Sequence, residues 1–428
     1  MTEPLDLAGI GIGPFNLSIA ALLDSPPHSQ RPRLEARFFD RKPGFDWHPG
    51  MLLPGVRLQT SFLKDLVTGV APQSPYSFLQ FLVSQQRFYQ FLAAELPAIS
   101  RVEYGQYLSW AAAQLTSLHF DSQLETVDFD GGHFRLHFSD DRQPVAARHL
   151  CLGTGKPPWV PDCCRPHLGS DCFHAIGIAN RTFNLRGKRV AIVGGGQSGA
   201  EVLQAILDEY WGRPAQINWL SRRSNFAPLD ETPFTNEYFT PQYIAAFFDL
   251  PGAVKQRVVE EQKLASDGIS PATLKAIYRR LYEGQVRGDL FRVRLMPGRE
   301  LQGMARQGDT YRLAYRNRLD ATQQQCEAEV VILATGFSQQ LPAYLAPLRE
   351  CLELNDSGQL ILDQHFQVQW KNMATNRIYA VNAGRFSHGI AEPQMSLMCW
   401  RSATIINHLA GEEIFDTGQG TGMVDWRG

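Results

Sequence analysis

Two glycine-rich turns, Gly11-Ile12-Gly13-Pro14-Phe15-Asn16 and Gly194-Gly195-Gly196-Gln197-Ser198-Gly199, each follow a short apolar run and open a stretch with helical character. Between a strand and a helix such a turn binds a dinucleotide, because glycine lets backbone N–H groups approach a pyrophosphate at the helix N-terminus. Two of them in one chain predict two dinucleotides, a flavin and a nicotinamide. They narrow the fold to an α/β chain with two Rossmann-like dinucleotide-binding domains, and they point to electron transfer between the two ligands.

In the first unit, Asp6 to Gly11 reads as a buried strand, Pro14 to Leu23 as a helix and Leu34 to Asp40 as the next strand. Gly11, Gly13 and Asn16 hold the fingerprint positions, with Asn16 in place of the third glycine. Asp40 ends the second strand, where an acid accepts hydrogen bonds from an adenosine ribose. It stands later than the common spacing of about 20 residues, and the Pro-rich loop Ser25 to Pro32 accounts for the delay. In the second unit, Lys188 to Val193 is the strand. Gly199, Leu203, Ile206, Leu207 and Tyr210 keep helical spacing, and Gly212 stands where that helix stops. The following strand, Ile217 to Leu220, ends in Ser221-Arg222-Arg223 instead of an acid. Arg222 and Arg223 suit a 2′-phosphate, which favours NADPH over NADH. A solvated arginine pair is the plainer alternative.

Two further turns, Cys151-Leu152-Gly153-Thr154-Gly155 and Leu333-Ala334-Thr335-Gly336-Phe337, each follow an apolar run. Ala334 and Thr335 are small enough to let the chain cross between domains beside a cofactor. The predicted partition is an FAD-binding domain of residues 1–165 and 337–428, an NADPH-binding domain of 166–230 and 290–336, and a small helical substrate-binding insertion of 231–289. Within the insertion, Pro241 to Ala265 and Pro271 to Glu283 read as helices, the latter with Ser270 as N-cap and Pro271 at its first position.

The net charge of −2 argues against a nucleic-acid surface. No apolar run reaches the ~20 residues that span a bilayer, so no membrane contact is expected. A strand starting near Asp6 leaves no room for a signal peptide. Seven cysteines without a CxxC pair argue against a metal site or a disulfide framework, so a cytoplasmic setting is expected.

The segments Asp46-Trp47-His48-Pro49-Gly50-Met51, Leu58-Gln59-Thr60-Ser61-Phe62-Leu63-Lys64-Asp65-Leu66 and His388-Gly389-Ile390-Ala391-Glu392-Pro393 resemble the microbial N-hydroxylating flavin monooxygenases. These are the lysine, ornithine and diamine N-monooxygenases of hydroxamate siderophore synthesis. The resemblance runs the length of the chain. It implies that NADPH reduces FAD, that reduced flavin takes up O2 as a C4a-hydroperoxide, and that a neutral primary amine attacks the distal oxygen. A free alkyl ammonium has a pKa of about 10.4, so the site must favour the neutral form.

By the same resemblance, Gln59, Lys64, Asn236 and Ser396 line the substrate site, with Lys64 meeting an α-carboxylate if the substrate is an amino acid. Trp47, His48, Gln59 and Leu397 fall near the flavin. Arg101 resembles an arginine that reaches the active site, although a plain helix pair with Glu103 serves as well. Asp267 stands where the ornithine enzymes have asparagine, and either holds an ammonium or caps the next helix. Phe337 departs from the family's usual tyrosine. The expected substrate is an aliphatic diamine, cadaverine ahead of putrescine, with L-lysine as the alternative. A dimer or tetramer is implied. A disulfide reductase lacks its cysteine pair here. A Baeyer–Villiger or S-oxygenating flavoprotein would share the cofactors but favour a different motif before the second turn. A flavin-binding protein without activity would have no use for the second turn.

Overall fold

The computed structural model describes residues 3–27, 34–140, 142–289, 292–372, 374–418 and 422–427. The predicted Ser25–Pro32 loop therefore lies largely outside the described residues, as does the predicted domain boundary at residue 290.

The apolar run Leu5–Ile10 forms the central strand of the first sheet. It pairs in parallel with Ala36–Phe39 on one side and with Val145–Leu152 on the other. Leu118–His119 extends the first edge. Ile378–Ala380 joins Val145–Leu152 in parallel beside Leu150, Cys151 and Leu152. The chain thus completes its first sheet with residues that come after the whole second sheet. An antiparallel hairpin, Leu124–Phe129 with Phe134–Phe138, continues from the other end of Val145–Leu152. The helix Pro14–Leu23 is buried almost throughout, and Met398–Ala410 packs against it.

The second sheet is wholly parallel, in the order Arg292–Pro297, Gln216–Ser221, Arg189–Val193, Val330–Leu333, Cys172–His174. The helix Gln197–Leu207 covers one face. A three-stranded antiparallel sheet, Arg299–Gln307, Thr310–Asn317 and Gln323–Ala328, packs Tyr311, Leu313 and Tyr315 against the other. Alternating apolar and polar residues from Tyr311 to Tyr315 give that strand one buried side.

The stretch expected as one helix from Pro241 to Ala265 is three: Pro241–Phe248, Gly252–Glu261 and Lys263–Asp267. Pro251 explains the first break, since it offers no N–H and disfavours helix at Leu250. Pro271–Arg287 outruns its expected end and stops at Gly288, whose φ of 68° is left-handed. Ser270 takes the N-cap position, but its side chain makes no cap hydrogen bond. Leu274, Ile277 and Leu281 of this helix join the core of the second sheet. Pro241–Phe248 and Gly252–Glu261 lean instead on the Arg385–His388 turn of the first. No described helix is long and apolar enough to cross a membrane.

Candidate active site

The two glycine turns face one another across a cleft of about 2170 Å³. A small-ligand pocket is usually ~300–1,000 Å³, so this cleft has room for more than one ligand. Gly11, Gly13, Asp40, Trp47, His48, Gln59, Lys64 and Arg101 line it from the first sheet and its loops. Gly194, Gly196, Gln197, Ser198, Arg222, Arg223, Ala334 and Thr335 line it from the second, with Asn236, Asp267 and Ser396 between.

The glycines separate into two groups. Gly11 has φ +86°, and a Cβ there would stand 2.7 Å from the Gly153 carbonyl oxygen. Gly194 has φ +132°, and its Cβ would meet the Ala334 carbonyl oxygen at 2.0 Å; a Cβ on Gly199 would meet that of Gly194 at 2.2 Å. Protein packing alone requires these three. Gly13 and Gly196 differ. A Cβ on Gly13 finds only Gly153 O at 3.8 Å, and on Gly196 it finds nothing within 4 Å. Both are N-caps of helices with no side-chain cap. No protein contact requires glycine there, whereas a pyrophosphate resting on the helix N–H groups does. Arg223 adds a buried Nη1 with no hydrogen-bond partner among the described residues, a donor that fits a phosphate. Arg222 beside it is exposed. The residues present therefore fit two dinucleotides.

Asp40 faces the first turn. Its Oδ2 accepts the Ile12 N–H at 2.7 Å and its Oδ1 that of Lys42 at 3.0 Å. Asn16 behaves differently from the expectation. It is fully buried behind the turn, its Nδ2 donating to Gly11 O at 2.7 Å and its Oδ1 accepting from the Cys151 thiol. The longer side chain ties the turn to the Cys151–Gly153 crossing and faces protein, not cleft. Leu397 likewise packs with Ile244 and Ala391, away from the cleft lining. The Thr335 hydroxyl is spent on the Trp159 carbonyl, and Trp159 N–H donates to Gly336 O at 2.8 Å. The two crossing segments are thereby bonded to each other.

Arg101 does not pair with Glu103, which faces Arg87 at 3.4 Å. It makes a two-bond ion pair with Glu201 on the second domain's first helix, at 2.6 and 2.9 Å. Burial holds the Glu201 carboxyl above its usual range despite that arginine. Gln197 extends the network. It donates to Glu201 at 2.8 Å, its Oε1 accepts the Ser270 N–H at 2.8 Å, and Gln59 reaches the same oxygen at 3.4 Å. Arg101 is thus a link between domains. Glu201 was missed because its segment, Gly199-Ala200-Glu201-Val202, reads as an ordinary helix. The only signal was an acid among positions that the periodicity buries.

Elsewhere in the cleft, the Thr60 and Ser396 hydroxyls stand 3.5 Å apart. Lys64 Nζ has no hydrogen bond or ion pair among the described residues, and the Phe239 ring lies 5.8 Å from it. Burial lowers its pKa. Asn236 ends a helical turn whose N-cap is Thr232, and its side-chain amide makes no hydrogen bond among the described residues. Asp267, expected as an ammonium holder or a cap, is paired with Arg385 at 2.8 Å. Beneath this floor, Glu392 and Arg401 form a fully buried ion pair at 2.7 Å, and Arg401 also donates to Gln394 O. The His388–Pro393 motif is accounted for by that pair, which fixes the loop carrying Ser396.

These features define a flavoprotein with a second nicotinamide unit and a polar pocket between them, built for oxidising a small substrate. The family model described as L-lysine 6-monooxygenase/L-ornithine 5-monooxygenase matches residues 3–339, and the chain belongs to that family. It is a flavin-dependent N-monooxygenase, and its cofactors are FAD and NADPH. It is 42% identical to the L-lysine N6-monooxygenase of Escherichia coli, over 100% of this chain and 99% of that one. It is 34% identical to the putrescine N-hydroxylase of Acinetobacter baumannii, over 96% and 91%. The FAD-bound cadaverine monooxygenase DfoA of Erwinia amylovora, from the desferrioxamine pathway, superimposes with a TM-score of 0.92 at 30% identity, covering 99% and 98%.

Proposed function

We propose that the chain N-hydroxylates the terminal amine of L-lysine in the making of a siderophore. One observation carries the choice. Lys64 brings to the cleft an ammonium without a counter-ion among the described residues, while Asp267, the acid expected to hold a second substrate ammonium, is already paired with Arg385. A half-buried cation without a partner is costly, and a substrate carboxylate relieves that cost. The likeness to the Escherichia coli lysine enzyme supports the same reading. It moves weight from cadaverine, the first expectation from sequence, to the alternative. Cadaverine stays as a second reading because of the likeness to DfoA.

Gly11, Gly13 and Asp40 would hold FAD, and Gly194, Gly196 and Arg223 would hold NADPH; the pair would supply the reducing and oxygen chemistry. The balance is amine, O2, NADPH and a proton giving hydroxylamine, NADP⁺ and water. The chain's residues place the amine. Lys64 holds the carboxylate, Asn236 offers an amide to the same end, and Gln59 and Ser396 border the reacting end. Phe239, whose ring lies 5.8 Å from Lys64 Nζ, shields the carboxylate end from water. The proposal keeps the partition expected from sequence, with Leu274, Ile277 and Leu281 of the last helix of 231–289 joining the core of the second sheet.

The test is Lys64→Met. The reading predicts that KM for lysine rises at least tenfold while KM for cadaverine stays within twofold. Equal effects on both amines would remove the carboxylate role.

A further inference from the structure

We infer that the C-terminal residues 422–427 are a strap that positions the substrate segment, with Trp426 as its anchor. The inference rests on the reading that Asn236 and Phe239 border the amine.

The segment from Pro233 to Phe248 is held over the cleft by packing on more than one side, with Tyr243, Ile244 and Phe247 buried. One side leans on the Arg385–His388 turn. On the other, the Trp426 ring lies 4.8 Å from that of Tyr243, edge to face, and 5.5 Å from that of Tyr238. Tyr243 Oη donates to Gln262 at 2.7 Å, which carries the contact to the next helix. Gly422 N–H donates to Gln242 at 2.6 Å, and Arg427 pairs with Asp249 at 2.6 Å. The exposed Arg427–Asp249 pair adds little, so the aromatic contacts dominate.

Residues 414–417 are fastened to the first domain. Ile414 and Phe415 are buried, and Asn407 clasps both, accepting their N–H groups at 2.9 and 3.0 Å and donating to Phe415 O at 2.8 Å. Trp400 Nε1 donates to Thr417 O at 3.2 Å. One end is therefore fixed to the helix Met398–Ala410, which leads directly from Ser396, and the other grips the helices that follow Asn236 and Phe239. Phe239 is also the ring that Lys64 faces. The strap sets the distance between the two sides of the amine pocket without touching either dinucleotide turn. Trp426 is a positioning residue.

The experiment compares full-length Trp426→Ala and Trp426→Phe with the parent, FAD-loaded. Trp426→Ala is expected to raise amine KM about tenfold, from loss of two ring contacts, and to lower hydroxylamine formed per NADPH. KM for NADPH and FAD content should stay within twofold, and Trp426→Phe should recover most of the loss. Hydrogen exchange should quicken at residues 236–248 and stay unchanged at 197–207. Unchanged exchange at 236–248, or an equal rise in the KM values for amine and NADPH, overturns the inference. If Trp426→Ala does not hold FAD, Trp426→Leu gives the same comparison. If no amine couples in the parent, the substrate reading fails, and the exchange result still decides the strap.

Discussion

Replacing Glu201 with alanine tests how the two dinucleotide domains are held in register. Glu201 is 3% exposed and its partner Arg101 15%. Removing one member of a buried ion pair costs about 3–5 kcal/mol, because the other charge is left without compensation. Arg101 keeps some access to water, which places the cost near 3 kcal/mol, or roughly a hundredfold in the folded ratio. The same change takes away the acceptor that Gln197 uses at the mouth of the NADPH turn. Two measurements follow: denaturant unfolding of the FAD-loaded protein, and anaerobic flavin reduction by NADPH in stopped flow. Glu201→Ala should lower stability by about 3 kcal/mol and slow flavin reduction, and Glu201→Gln should fall between it and the parent. Combining Glu201→Ala with Arg101→Met should cost clearly less than the sum of the two, since both remove one interaction. Additive losses, or a Glu201→Ala variant within about 0.5 kcal/mol of the parent and reduced at the same rate, would refute the reasoning.

Gly196→Ala should leave the melting temperature unchanged and raise KM for NADPH at least tenfold, because only the ligand occupies the space beside it. Gly194→Ala should be destabilising, given φ +132° and a Cβ 2.0 Å from Ala334 O, which an unfolding curve would show. Arg223→Ala should reduce the preference for NADPH over NADH at least tenfold with little change in stability, read from the two values of kcat/KM. Burial lowers the Lys64 pKa, so the charged form that binds a carboxylate is present below that pKa and lost as pH rises through it. The pH profile of kcat/KM should therefore gain a falling limb with lysine that cadaverine does not show.

The glycine turns, their strands and the return of the chain to its first sheet were legible because each is local: a short apolar run, a turn residue and a helical stripe. That Arg222 and Arg223 line the cleft follows from the strand end, which fixes where its next residues stand. The long-range pairs were not legible. Arg101 looked as ready to meet Glu103 as Glu201, and only the approach of the start of Arg101–Ala112 to the helix Gln197–Leu207 decides it. Asp267 looked available until the Arg385 turn was brought beside it. Asn16 looked like a weakened fingerprint and is a buried brace. The C-terminal strap had no sequence signal, because Trp426 and Tyr243 acquire meaning only when the C-terminal residues are brought beside the helix Pro241–Phe248.

The most direct test of the account follows NADPH oxidation and hydroxylamine formation together, with FAD added and L-lysine, cadaverine, putrescine and L-ornithine as substrates. The account predicts close to one hydroxylamine per NADPH with L-lysine, at a lower KM than for cadaverine. Tight coupling with cadaverine, and only peroxide from NADPH oxidation with lysine, would contradict it.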